Sequence, residues 1–392
     1  MNNRLRTIAF ASAIALVGVA AAQAEDIIVL GSHAPLTGKL ARVGTAMHEG
    51  VTVAIEMFNR QNEGQYKVEL ITIDDETNPA KAVAAVEKLA GQGVVALTGG
   101  YGSNNVGPAS EAANKVELVY VTSGAVAPGL TQRGHKGFFR INNTEGYSKA
   151  MVGLLKDMGV KKVSVLYNNK DATTDLARTV DKDLSDQGVE VVLHAFDGGT
   201  SDFKPLVNKV KLRDKSDAIA MVGYQNDYVG ILKAGTVLKP NVKAVVGPWS
   251  LATAKMNSEF HDLVQTVYGT SMLPYPAEFT SPEAKEFAEI YEELLGRVPD
   301  YLGQFGYVQT KLLLEAIVRA KEAGTLGSGG LADELRRTDA NTLLGRVKFD
   351  ENGDNPFFSH RMGQHQGDKV VLVWPKDAAT GDKNFPATPW SQ

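Results

Sequence analysis

The sequence predicts an α/β fold of two similar lobes, each a parallel sheet flanked by helices. Three observations carry this. Short buried-strand patterns alternate with amphipathic helices from residue 27 onward. Strict alternation of that kind means a parallel sheet, because parallel neighbours need a crossover and the helix supplies it. The pattern also restarts near residue 145, and 392 residues suit two units of ordinary domain size.

The first segment reads as an address. Arg4 and Arg6 precede a run of apolar or small residues from Ile8 to Ala22, and Ala22-Gln23-Ala24 is a small-x-small cleavage site. This is the pattern of a secretory signal peptide over residues 1–24. The run is shorter than the roughly 20 residues a membrane anchor needs. No cysteine follows the site, which excludes a lipoprotein anchor. Losing Arg4 and Arg6 takes the formal charge from −4 to −6. No later stretch is apolar enough to span a bilayer, so a soluble exported protein is expected.

The elements then follow in order. Residues 27–31 form a buried strand. Met47, Val51, Ala54, Ile55 and Phe58 share one helical face. Val68 to Asp74 is the second strand. Asn78-Pro79 supplies an N-cap and a proline in the first turn of a helix through Ala90. Val94 to Thr98 is the third strand, and a helix over Asn104–Lys115 should start late because of Gly107-Pro108. Leu118 to Thr122 is the fourth strand. In the second half, helices 146–158, 174–187, 202–213 and 227–237 alternate with strands Lys162–Tyr167, Val189–Phe196, Ala218–Val222 and Val242–Val246. Residues 282–337 are mostly helical, with short strands at Val347–Phe349 and Val370–Trp374. The Pro-, Asp- and Lys-rich tail 375–392 reads as a loose surface segment.

Composition removes several function classes. The chain has 41 Lys+Arg against 45 Asp+Glu, so nothing marks it as a nucleic-acid binder. It has no cysteine, which excludes disulfides, thiolate metal sites and a cysteine nucleophile. Gly31 to Gly38 and Gly99 to Gly107 miss the dinucleotide and phosphate-loop spacings. No G-x-S-x-G elbow occurs, and His360 and His365 lack zinc-motif spacing. Asp74-Asp75-Glu76 reads as a strand-end cluster. No enzyme, cofactor or metal is expected.

The loops offer recognition instead. In parallel α/β sheets ligands sit beyond the carboxyl ends of the strands. Those ends carry Pro35 to Gly38 with Arg42 and Val43, then Tyr101 to Asn104, then Ser123 to Val126. The second half adds Asn168 to Thr174, Tyr224 to Asn226, and Pro248 with Trp249. Ser103 beside backbone N–H groups at a helix start is a cradle for a carboxylate. Tyr101, Tyr224 and Trp249 are read either as apolar walls or as packing between the lobes.

These stretches, in their order and spacing, resemble the periplasmic solute-binding proteins of the branched-chain (hydrophobic) amino acid ABC transporters. The matching residues are Pro35-Leu-Thr-Gly38 with Gly44 and Gly50, Asp74-Asp75 with Asn78 to Ala82, and Gly99 to Ser103. Pro108-Ala109, Ser123-Gly-Ala125 with Pro128 and Leu130-Thr131, Asp202-Phe203, Gly223-Tyr224 and Gly247-Pro248 complete them. The resemblance implies a type I periplasmic-binding-protein fold with three hinge crossovers. One lobe would span 25–144 plus 275–343 and the other 145–274 plus 344–392. It also implies a monomer in the periplasm that binds a small ligand and docks to ABC permease transmembrane subunits.

The family's ligand residues carry over in part. The serine that holds the ligand carboxylate matches Ser103, and the small backbone donor on the next loop matches Gly124 or Ala125. The tyrosine after glycine matches Tyr224. The threonine that helps hold the ligand's amino group falls on Val126, and the acid that pairs with the ammonium falls on Trp249. An ammonium left without acceptors costs several kcal/mol to bury. The expected ligand is therefore a carboxylate without an α-amino group, aromatic or short and aliphatic, with Arg42 or His33 as a possible cation for its acid end. The alternatives are a branched-chain amino acid, with Asp227 or Asp171 replacing the lost acid, and a ligand-sensing module serving a regulator or chemoreceptor.

Overall fold

In the computed structural model, which describes residues 25–249, 251–279 and 281–391, the first unit is β1 (Asp26–Ala34), α1 (Ala41–Gln61), β2 (Tyr66–Asp74), α2 (Pro79–Gly91), β3 (Ala96–Gly99), α3 (Ser103–Lys115), β4 (Tyr120–Thr122) and β5 (Phe138–Arg140). The signal-peptide expectation lies outside the described residues. The five strands pair in parallel in the order β2-β1-β3-β4-β5. Asn78 caps α2 as expected, accepting from the Ala80 and Lys81 amides at 2.9 and 3.2 Å.

The plan repeats in α4 (Thr144–Asp157), β6 (Lys162–Asn168), α5 (Asp171–Ser185), β7 (Glu190–Phe196), α6 (Lys204–Lys209), β8 (Ala218–Val222), α7 (Gln225–Leu238), β9 (Ala244–Gly247), α8 (Ala254–Val264) and β10 (Tyr268–Ser271). The chain returns to the first unit with α9 (Pro282–Leu295), α10 (Tyr301–Glu322), α11 (Gly330–Arg336) and the hairpin β11 (Asp339–Thr342)–β12 (Gly345–Lys348). It ends in the second with β13 (Arg361–Gln366) and β14 (Lys369–Trp374). The second sheet is ordered β14-β13-β10-β9-β8-β6-β7, and β13 and β14 join it antiparallel. The expected parallel sheet thus gains an antiparallel edge. The chain passes between the sheets three times.

Helix α10 places the returning segment. A Cβ on Gly50 of α1 would lie 1.8 Å from the Gly303 carbonyl oxygen, and one on Gly306 equally close to that of Met47. The two backbones therefore touch. Thr310 of α10 meets Thr98 of β3 at 2.8 Å between hydroxyls. The expected lobe break at 343/344 falls inside the β11–β12 hairpin, and Phe349 just beyond it packs edge-on against Phe139 of β5 at 5.1 Å.

Two expectations are corrected. Helix α3 begins at Ser103 and runs through Pro108. Gly102, at φ 84°, makes the turn into the helix, and the Gly107 carbonyl is taken by Arg133 and by the Ser110 hydroxyl. The tail is not loose: Trp390 is buried against Gly235 and donates its indole N–H to the Pro240 carbonyl at 2.9 Å.

Candidate functional site

Both sheets share one winding. The orders β2-β1-β3-β4-β5 and β7-β6-β8-β9-β10 each reverse direction beside their first strand, and such reversals open a crevice at the strands' carboxyl ends. Loops from both sheets meet there around a cavity of about 20 Å³. Its walls are Tyr101, Gly102 and Ser103 after β3, Ser123, Gly124 and Val126 after β4, and Asn142 and Tyr147 on the first crossing. Ala172, Tyr224 and Trp249 close it from the second sheet.

Backbone contact holds the first wall. Gly102 donates its N–H to the Gly124 carbonyl at 2.9 Å, and a Cβ on Gly124 would sit 2.1 Å from the Gly100 carbonyl oxygen. Only glycine permits that approach. Ser103 Oγ accepts from the Val126 and Ala127 amides at 3.2 and 3.1 Å, so its own proton is available to a ligand oxygen.

Aromatic rings form the second wall. Tyr224 and Trp249 stack at 5.9 Å with 14° between planes, and Tyr147 leans on Trp249 at 5.7 Å. The Tyr147 hydroxyl accepts from Asn142 Nδ2 at 3.1 Å. Trp249 holds φ at +28°, an uncommon region for a bulky residue, of the kind found at binding sites. Burial raises the pKa of Tyr101, Tyr147 and Tyr224, so all three are neutral phenols.

Among the described residues no Asp, Glu, Lys, Arg or His lines this cavity. The nearby acid Asp227 is buried, which raises its pKa. Its Oδ2 caps α7 by accepting from the Tyr224 amide at 2.9 Å, and it also accepts from Asn168 Nδ2 at 3.0 Å. Asp171 instead accepts from Asn104 Nδ2 at 3.2 Å, at the outer rim.

Of the residues singled out in the sequence, Tyr101, Ser103, Gly124, Tyr224 and Trp249 line the cavity together. Four others do not. Ala125 and Val43 are packed in the core. Arg42 pairs with Glu259 of α8 and lies over the Phe260 ring. His33 is fully buried between Asp75 Oδ2 at 2.9 Å and the Tyr120 hydroxyl at 2.6 Å. Neither Arg42 nor His33 thus supplies a cation to the cavity. Tyr147 and Asn142 were missed: they sit on the crossing before and within α4, where no strand-end pattern marks them. Among the described residues no group of His, Cys, Asp or Glu could hold a metal, and no helix is long and apolar enough to cross a membrane.

Paired sheets of one winding, joined by three crossings and sharing a small aromatic cavity, define a two-lobed solute-binding protein. The chain belongs to the periplasmic binding protein family, whose model matches residues 27–369. It is 26% identical to the Leu/Ile/Val-binding protein homolog 7 of Brucella melitensis biotype 1, over 97% of this chain and 98% of that one. In structure it is similar to a leucine-binding protein from Thermotoga maritima, with TM-score 0.79 and 24% identity over 88% of this chain and 97% of that one. It is also similar to an ABC-transporter solute-binding protein from R. palustris solved with benzoate, with TM-score 0.78 and 18% identity over 88% and 95%. The family is non-enzymatic, and membership implies an exported, periplasmic component of an ABC importer.

Proposed function

We propose that this protein captures a small carboxylate lacking an α-amino group, aromatic or short and aliphatic, and presents it to the transmembrane subunits of an ABC permease. The observation that carries this reading is the neutral cavity. Among the described residues its polar groups are side-chain hydroxyls and the Asn142 amide, which suit an acid, and no carboxylate lines it to pair with an ammonium. Stranding a buried ammonium costs several kcal/mol. Ser103 holds the acid end, and the rings of Tyr101, Tyr147, Tyr224 and Trp249 surround it.

The lobes are taken as 25–144 plus the returning segment from 275 through the β11–β12 hairpin, and 145–274 plus the remainder to 392, working as a monomer exported by cleavage after Ala24. A ligand touching both lobes favours the closed form, and the permease reads the closed rims. A hydrophobic amino acid is the second reading, supported by the leucine-binding relatives. Calorimetry with p-coumarate, benzoate and leucine tests the choice. An aryl acid binding with leucine silent is expected; tight leucine binding with both aryl acids silent rejects the acid reading.

A further inference from the structure

We propose that the ligand site continues past Tyr224 into a second chamber that receives another anionic group at the far end of the ligand, so that the preferred solute is a diacid. This rests on the carboxylate reading above. The inner cavity, about 20 Å³, has room for little more than one water-sized group. Next to it lies a chamber of about 460 Å³, which is the size of a small-molecule site. The two share Gly102 and Tyr224 as walls. A carboxylate seated at Ser103 therefore leaves the rest of the ligand in the chamber.

The chemistry of that chamber differs from the inner cavity. Lys39, from the loop between β1 and α1, and Lys170, from the loop between β6 and α5, both line it. Among the described residues neither ammonium has a hydrogen-bond or ion-pair partner, unlike Lys81 and Lys162, which pair with Glu76 and Glu190. The side chains of Asn104, Asn105, Asn168 and Asn169 supply much of the remaining wall. One carboxylate, Asp197, also lines the chamber, and Asn169 Nδ2 already donates to it at 2.6 Å. Asn168 is 2% exposed and gives its amide N–H to Asp227, while its Oδ1 has no partner. That oxygen can accept from a hydroxyl or a water carried in with the ligand.

The two lysines come from opposite sheets. Their two positive charges, offset by Asp197 in the wall and by Asp227 close to Lys39, gather on one chamber when the lobes approach, and like charges brought together oppose closure. An anion between them turns that repulsion into attraction from both sides. Recognition of the second acid group and closure of the lobes are then one event.

The test is calorimetric titration of the purified protein with benzoate, terephthalate and the longer diacid 4-carboxycinnamate, repeated on a K39Q/K170Q double variant. Both substitutions are at exposed positions, and a melting curve checks that the variant is folded. The expected result is that at least one diacid binds about tenfold or more tightly than benzoate. In the variant the diacid-to-benzoate affinity ratio should fall to near one. Equal binding of benzoate and the diacids by the native protein overturns this inference alone, as does a preference that survives in the variant. Binding of none of the three acids overturns the carboxylate reading, and this inference with it.

Discussion

Ser103 has two tasks in one side chain. Its oxygen pins the loop carrying Val126 and Ala127, which leaves its own proton to donate to a ligand oxygen. Ser103→Ala should therefore weaken binding of an aryl acid by about 1–3 kcal/mol, the scale of a hydrogen bond to a charged group. The fold should survive. An unchanged dissociation constant by calorimetry removes Ser103 from the site. At this scale legibility was uneven. Tyr101, Ser103, Gly124, Tyr224 and Trp249 could be found because each follows a strand whose hydrophobic run is visible. Arg42 could not be placed, since a position in the first turn of α1 does not say that Glu259 lies opposite. Tyr147 and Asn142 were hidden for another reason: a crossing segment has no periodicity that points at a ligand.

Among the elements, α1 and α10 are the most closely fitted. With backbone against backbone at Gly50 and Gly306, an added methyl group meets a carbonyl that cannot move alone. Gly306→Ala should lower unfolding free energy by about 3 kcal/mol, read by denaturant titration; wild-type stability would contradict the packing. The crossings carry a second testable feature. His360 lies among Tyr147, Phe305 and Phe358 near the start of β13, and burial pushes its pKa down to about 3; that of His365 falls to about 4. In the unfolded chain both titrate near 6.5. Between these values the unfolded state binds more protons. Stability is thus full above pH 6.5 and falls as pH drops, by up to about 1.4 kcal/mol per pH unit for each group. Melting temperatures across pH 7 to 5 should fall, and His360→Phe should flatten the slope; an equal slope in the variant removes His360 as a cause. Most long strands and helices were legible from their periods, but helix α8 was not. Strands β5, β10 and β13 were not: β5 and β10 span three or four residues, and in β13 buried Gly363, Gln364 and His365 break the hydrophobic alternation. The buried tail could not be foreseen either, because one tryptophan fitting one glycine leaves no local pattern.

For the whole molecule, the two units meet in polar contacts at the rims as well as in the cavity. Arg42 and Glu259 join α1 to α8, and Asn104 and Asp171 join α3 to α5. The Arg42–Glu259 pair is about one-third exposed on each side, so its contribution is on the order of 0.5 kcal/mol. Glu259→Gln should speed ligand release about twofold in a stopped-flow chase, an effect that shrinks with added salt. A rate insensitive to both the substitution and salt would mean that the pair does not help hold the lobes together. The two-unit architecture was legible because the β/α alternation visibly restarts, whereas these rim contacts depend on the closing angle, which no sequence pattern carries.

Leucine and 4-methylpentanoate differ by the α-ammonium alone, so their paired titration isolates the one group for which no carboxylate lines this cavity among the described residues. The deaminated acid should bind at least about tenfold more tightly than leucine. Leucine binding more tightly than its deaminated twin would mean that an ammonium is well housed here, and that the neutral aromatic cavity is not what selects the solute.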